Sequence, residues 1–133
     1  MNAGVVALDQ ARRRDRLATT ANPAEHLDYL VARTVDLPDG AAVVVTYVPD
    51  RRILADGMLE HYLAACASAL PPVAEACAAL LVADLNNELV PRWLRVEVDH
   101  GAHRVVIEDR QPGWGNDELL SRLPVPARES PKG

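Results

Sequence analysis

Hydrophobic and polar positions divide this chain into two β hairpins separated by two helical stretches. From Leu27 to Val35, Leu27, Tyr29 and Val31 alternate with Asp28, Leu30 and Ala32, which predicts a strand with one better-buried face. Asp36-Leu37-Pro38-Asp39-Gly40 interrupts the alternation as a turn, because Pro fixes φ and Gly tolerates positive φ. Ala41 to Val48 is nearly all apolar and β-branched, as a central strand should be, and Pro49-Asp50 stops it.

The period then changes. Asp56 is a plausible N-cap, and Met58, Leu59, Tyr62, Leu63, Cys66 and Leu70 recur at helical spacing. Pro71-Pro72 ends this helix and opens the next, since Pro is tolerated at a first helical position. Val73, Cys77, Leu80, Leu81, Val82, Leu85 and Leu89 carry the second helix to Pro91, and its face of Ala74, Ala76, Ala78, Ala79 and Ala83 permits close packing. A second hairpin follows. Leu94, Val96 and Val98 point one way, Trp93, Arg95, Glu97 and Asp99 the other, His100-Gly101-Ala102-His103 turns, and Arg104 to Asp109 returns. Pro112-Gly113-Trp114-Gly115-Asn116-Asp117 reads as a loop before a short helix. The order is β-β-α-α-β-β. It predicts one α+β domain at 23–123, an N-terminal arm at 1–22 and a Pro-rich tail at 124–133. A four-stranded antiparallel sheet with both helices on one face leaves its other face and both edges open. Exposed edges invite pairing, so a homo-oligomer built by sheet extension into a barrel is expected.

Composition narrows the chemistry. The 133 residues are 49% apolar, enough for one core, and a net charge of −5 argues against general nucleic-acid binding. Phe is absent and only Tyr29, Tyr47, Tyr62, Trp93 and Trp114 are aromatic, too few for a base-stacking platform. No apolar run approaches the roughly 18 residues of a membrane span. The run Gly4-Val5-Val6-Ala7-Leu8 is broken by Asp9 and then Arg12-Arg13-Arg14, unlike a signal peptide, so a cytoplasmic protein without a membrane partner is expected. The single lysine, Lys132, lies in the tail, which excludes Schiff-base chemistry from the core. Cys66 and Cys77 sit on apolar helical faces, where free Cys acts as a small hydrophobe. His100 and His103 flank a hairpin turn and are expected to point away from the helices, so no zinc-site spacing arises and no metal is expected. His61 reads as solvent-facing. Trp114, between Gly113 and Gly115, reads as packing on the sheet or a neighbouring subunit rather than as a lid.

The β-β-α-α-β-β order resembles the tunnelling fold, whose members form barrel-shaped rings and bind purines or pterins between subunits. The segment from Pro38 to Asp50, with Asp39-Gly40 and Thr46-Tyr47-Val48-Pro49, is similar to the strand after the catalytic loop of the NADPH-dependent nitrile reductases that act on 7-cyano-7-deazaguanine (QueF-type enzymes of queuosine biosynthesis). Tyr62-Leu63, Asp84-Leu85 and Pro91-Arg92-Trp93-Leu94 also resemble that family, and the similarity spans 26–109.

The resemblance implies a cysteine that adds to the nitrile, an acid/base aspartate and an NADPH site. Here the first two strands are joined too directly to hold an active-site loop, and no cysteine lies between Met1 and Ala65. Asp39 occupies the place of the acid/base aspartate, but without a nucleophile beside it Asp39 reads first as a turn residue of Leu-Pro-Asp-Gly and only weakly as a catalytic candidate. Where the family has its lysine-bearing cofactor motif, this chain reads Ala55-Asp56-Gly57-Met58-Leu59-Glu60, and Glu60 would repel a 2′-phosphate. Nitrile reductase activity is therefore expected to be absent, and no cofactor is expected. Glu75 matches the family's helix glutamate that holds the purine edge, accepting from a ring N–H and an exocyclic amine, although the family's neighbouring histidine is Ala74 here. Glu75 in a first helical turn also suits the helix dipole. The expected function is binding of a guanine-like 7-deazapurine or pterin at a subunit interface. The alternative is a non-catalytic interaction subunit assembling with itself or a paralogue through the Trp93, Arg95 and Glu97 face. Acid–base chemistry by Glu75 with Asp39 or a partner's histidine is a third possibility.

Overall fold

The computed structural model describes residues 17–65 and 72–123. In chain order these form β1 (Thr19–Ala21), β2 (Val31–Asp36), β3 (Ala42–Val48), β4 (Arg52–Leu54), α1 (Met58–Ala65), α2 (Ala74–Leu89), β5 (Trp93–Asp99), β6 (Arg104–Arg110) and α3 (Asp117–Leu120). The main sheet has the order β2-β3-β5-β6, antiparallel throughout, and β1 pairs with β4 in a separate two-stranded sheet. The α+β class expected from the hydrophobic period is therefore present. Among the described residues no helix is long and apolar enough to cross a membrane.

The strand register follows the period of two. Val31 lies opposite Tyr47 and Val35 opposite Val43, while Val43, Val45 and Tyr47 face Val98, Val96 and Leu94 across the central pair. These side chains form one face and join Leu59, Tyr62 and Leu63 of α1 and Ala78, Leu81, Leu85 and Leu89 of α2 in a single core. Helix α2 lies across β5 and β6. Small alanines on the helix let it approach the β-branched sheet closely, so nearly every large core side chain is fully buried.

Four expectations change. The first hairpin strand begins at Val31 rather than Leu27, and Leu27 is half exposed. The Glu25 and Leu27 carbonyls accept hydrogen bonds from Arg92, which holds this stretch away from the β3 ladder. Residues 17–22 belong to the folded body: Leu17 is in the core, and β1 pairs Thr19–Ala21 with Leu54–Arg52. Strands of three residues are too short to display a period. Helix α1 starts at Met58, one residue later than an Asp56 cap implies, with the Gly57 carbonyl accepting from the His61 N–H. On the outer face of β5, Trp93 and Glu97 are buried rather than solvated. The Arg95 guanidinium lies 5.9 Å from the Trp93 ring centre and 3.6 Å from Glu97, and Arg104 approaches Glu97 from β6 at 3.8 Å. Residues 1–16, the end of the first predicted helix with Cys66 and Leu70, and the tail with Lys132 lie outside the described residues.

Candidate functional site

Both hairpin turns and the start of α2 meet at one end of the sheet. In the first turn the Leu37 and Gly40 amides bond to Ala41 O and Leu37 O, Gly40 takes φ 93°, and Asp39 Oδ1 accepts from the Ala41 N–H at 2.9 Å. Asp39 thus fixes the turn with one carboxylate oxygen. In the second turn the His100 N–H bonds to His103 O, and Asp99 Oδ1 accepts from the Gly101 N–H at 2.7 Å. This tight closure holds His103 at the mouth of the hairpin.

Glu75 projects from the first turn of α2, where Val73 provides no side-chain cap. Its carboxylate and the His103 imidazole meet at 3.2 Å between Oε2 and Nε2, both side chains more than half exposed. The Glu75 carboxyl is held below its ordinary value, first by its own backbone N–H, then by the hydrogen bond from His103. It is an anion at neutral pH and faces water. The expectation that His103 turns away from the helices is corrected: the second hairpin turn brings it back over the N-terminus of α2. This imidazole stands beside Glu75 although position 74 is alanine.

Two residues below, Cys77 is buried in the core. Burial chiefly, and the Asp39 charge secondarily, push its thiol above the ordinary value, so the thiolate needed by a nucleophile is disfavoured. Among the described residues no three His, Cys, Asp or Glu side chains come together as a metal site. His61 and Glu60 are exposed on α1, and Asp56 lies 3.7 Å from Arg33. Asp56, Gly57 and Glu60, where the resemblance places a cofactor motif, thus form a solvent-facing helix start that includes two carboxylates and no lysine.

The opposite end of the sheet is closed. Arg92 Nη1 donates to Leu27 O at 2.9 Å and Asp28 at 3.0 Å, and Nη2 donates to Glu25 O at 2.6 Å and Asp50 at 3.2 Å. Gln111 donates to the second Asp50 oxygen at 3.0 Å, and Asn116 donates to the second Asp28 oxygen at 3.0 Å. Trp114 is half-buried with the Arg110 guanidinium 6.0 Å from its ring centre. It borders an open cleft of about 690 Å³ together with Leu27, Asp28, Arg92 and Asn116. The polar groups of this cleft are largely committed to one another.

No protein-family model matches the chain, and a comparison with curated proteins finds no match.

Proposed function

We propose that this chain is a tunnelling-fold protein without nitrile reductase chemistry, which binds a guanine-like 7-deazapurine or a pterin through Glu75 where subunits meet. The observation that carries this reading is the Glu75 carboxylate: ionised, exposed, and held at the end of the sheet where both hairpin turns converge. A carboxylate can accept from a ring N–H and an adjacent exocyclic amine together, the donor pair that guanine-like bases and pterins share. The sequential antiparallel sheet with α1 and α2 inserted between its two hairpins supports the fold assignment. Among the described residues, strands β2 and β6 each have one paired edge in the main sheet, which leaves the other for extension into a ring. Among the described residues the nucleophile is lacking in this reading, because the direct turn from β2 to β3 carries Asp39 but no thiol, and Cys77 is buried with its thiol pushed above the ordinary value. Binding, not reduction, is the activity.

The test is calorimetric and thermal-shift titration with guanine, 7-cyano-7-deazaguanine, guanosine triphosphate and pterins, using wild type and Glu75→Ala. At 100 times the Kd, a ligand stabilises the folded state by about 2.7 kcal/mol. The expected result is binding by wild type, loss of binding in Glu75→Ala, and an unchanged oligomeric state in both. Absence of binding by all four ligands overturns the reading. It would leave the non-catalytic assembly subunit, for which the β2 and β6 edges, unpaired among the described residues, are the supporting observation.

A further inference from the structure

We propose that His103 is a positioning residue for Glu75: it clamps one carboxylate oxygen so that the remaining acceptor positions face a ligand in a fixed orientation. This inference rests on the base-binding reading of Glu75 and adds to it a residue from a different element. Glutamate at an exposed helix start has three rotatable side-chain bonds, and ordering it on ligand binding costs rotamer freedom. In this chain the His103 imidazole has already restricted it. His103 Nε2 meets Glu75 Oε2 at 3.2 Å from the β5–β6 turn. His103 is itself held, because the turn is closed by the bond from His100 N–H to His103 O and by Asp99 accepting from Gly101. The imidazole meets Oε2 and not Oε1.

The chemistry requires Nε2 to carry a proton. Neutral imidazole protonated at Nε2 donates to Oε2, as does the imidazolium, so the clamp operates in both charge states. Only the neutral tautomer protonated at Nδ1 would turn a lone pair toward the carboxylate, and the anion disfavours it. A carboxylate fixed in this way retains Oε1 and the second lone pair of Oε2 as acceptors. Two donors placed side by side on a planar heterocycle suit those positions. The ligand side of the match is therefore a planar ring with adjacent N–H and amine donors, and a base lacking the amine leaves one acceptor unused.

The experiment has a ligand-free and a ligand-bound arm on the full chain. In the first, the Glu75 carboxyl is titrated by NMR in wild type, His103→Ala and His103→Gln. Removing the imidazole should raise the Glu75 midpoint, whereas the glutamine amide, which can still donate, should restore part of the depression. In the second, guanine and hypoxanthine are titrated calorimetrically into the same proteins. His103→Ala should bind guanine about tenfold more weakly, the scale of one ordered long side chain. His103→Gln should recover most of that affinity, and wild type should prefer guanine over hypoxanthine by more than His103→Ala does. If the Glu75 midpoint does not move in His103→Ala, the clamp does not form and the proposal is overturned whatever binds. If the midpoint moves but guanine binds wild type and His103→Ala equally, the positioning role alone is overturned. If the midpoint moves and neither guanine nor any other ligand named above binds wild type, the base-binding reading fails and carries the positioning role down with it.

Discussion

The two ends of the main sheet are built on opposite principles. At the end where β2 and β5 begin, a single arginine ties three chain segments together. Arg92 donates to two backbone carbonyls and two carboxylates, and those carboxylates are held in turn by Gln111 and Asn116. At the other end, two tight turns and the uncapped start of α2 leave Glu75 and His103 facing water with one side-chain contact between them. A guanidinium with its donors spent on its own chain is a brace. An exposed carboxylate with a single side-chain partner is what a ligand can use. The comparison teaches that the richer cluster of charged residues is the less available one.

The braced end should therefore carry stability, and Arg92 the most. Arg92→Lys keeps the charge but cannot reproduce a planar fork reaching four acceptors. It should lower the unfolding free energy by roughly 2–3 kcal/mol, given that hydrogen bonds to charged groups contribute about 1.5–3 kcal/mol each and these groups are partly solvated. Urea denaturation reads this directly. A loss under about 0.5 kcal/mol, the range of ordinary surface substitutions, would remove the contrast between the ends.

Tyr47 tests the same end from inside the core. Its hydroxyl accepts from the Leu54 N–H at 3.0 Å, fastening β4 to β3, and burial pushes its pKa up against the lowering effect of that bond. Tyr47→Phe leaves a buried amide without its acceptor and should cost about 1–2 kcal/mol. Hydrogen exchange should be fastest at Leu54 in the variant. An unchanged Leu54 amide would mean that β4 is held by other contacts.

A gain should come from Val90, which ends α2 in the left-handed region at φ 44° and ψ 56°. The chain adopts this turn because Pro91 and Arg92 must carry it back to pair Trp93 with Val48, and the Gln111 side chain anchors the Val90 carbonyl. A β-branched residue there is strained, and Val90 is well exposed. Val90→Asn should stabilise by about 1 kcal/mol, raising Tm by roughly 3–5 °C for a domain of this size. A fall in Tm would show that the isopropyl group makes contacts that outweigh the backbone strain.

How much of this was legible in the sequence differs between the two ends. The hairpins and helices followed from periods of 2 and 3.6, and the Asp39-Gly40 turn from its residue types. Arg92 as a brace was not legible, because its partners Glu25, Leu27, Asp28 and Asp50 lie 42–67 residues away and two of the contacts are to backbone carbonyls, which no side-chain pattern announces. The Glu75–His103 contact could have been reached by length arithmetic. A helix of 16 residues rises about 24 Å and a strand of seven about 23 Å, so the end of β5 returns to the level at which α2 began. His103 must then lie near Glu75. The expectation that the turn histidines point away from the helices ignored that return.

The smallest expected effect is at Glu75, and its sign is set by pH. The folded carboxyl lies below its ordinary value of 4.5. A depressed carboxyl stabilises the fold where it is ionised, so its contribution is fully present above about pH 4.5 and is lost as pH falls through the lowered value. Because the group is exposed, that contribution is screened by water and salt. Glu75→Ala should therefore unfold at nearly the wild-type urea midpoint at pH 7, and what difference there is should close in acid rather than widen. His103→Ala should show a smaller closing difference, since it removes the imidazole contact and leaves the lowering by the Glu75 backbone N–H in place. A Glu75→Ala loss as large as that of Arg92→Lys, or one that persists unchanged in acid, would mean that this end of the sheet is also a brace and that Glu75 is committed to the fold. A nearly silent Glu75→Ala keeps the carboxylate free for the ligand titration, where its removal should matter most.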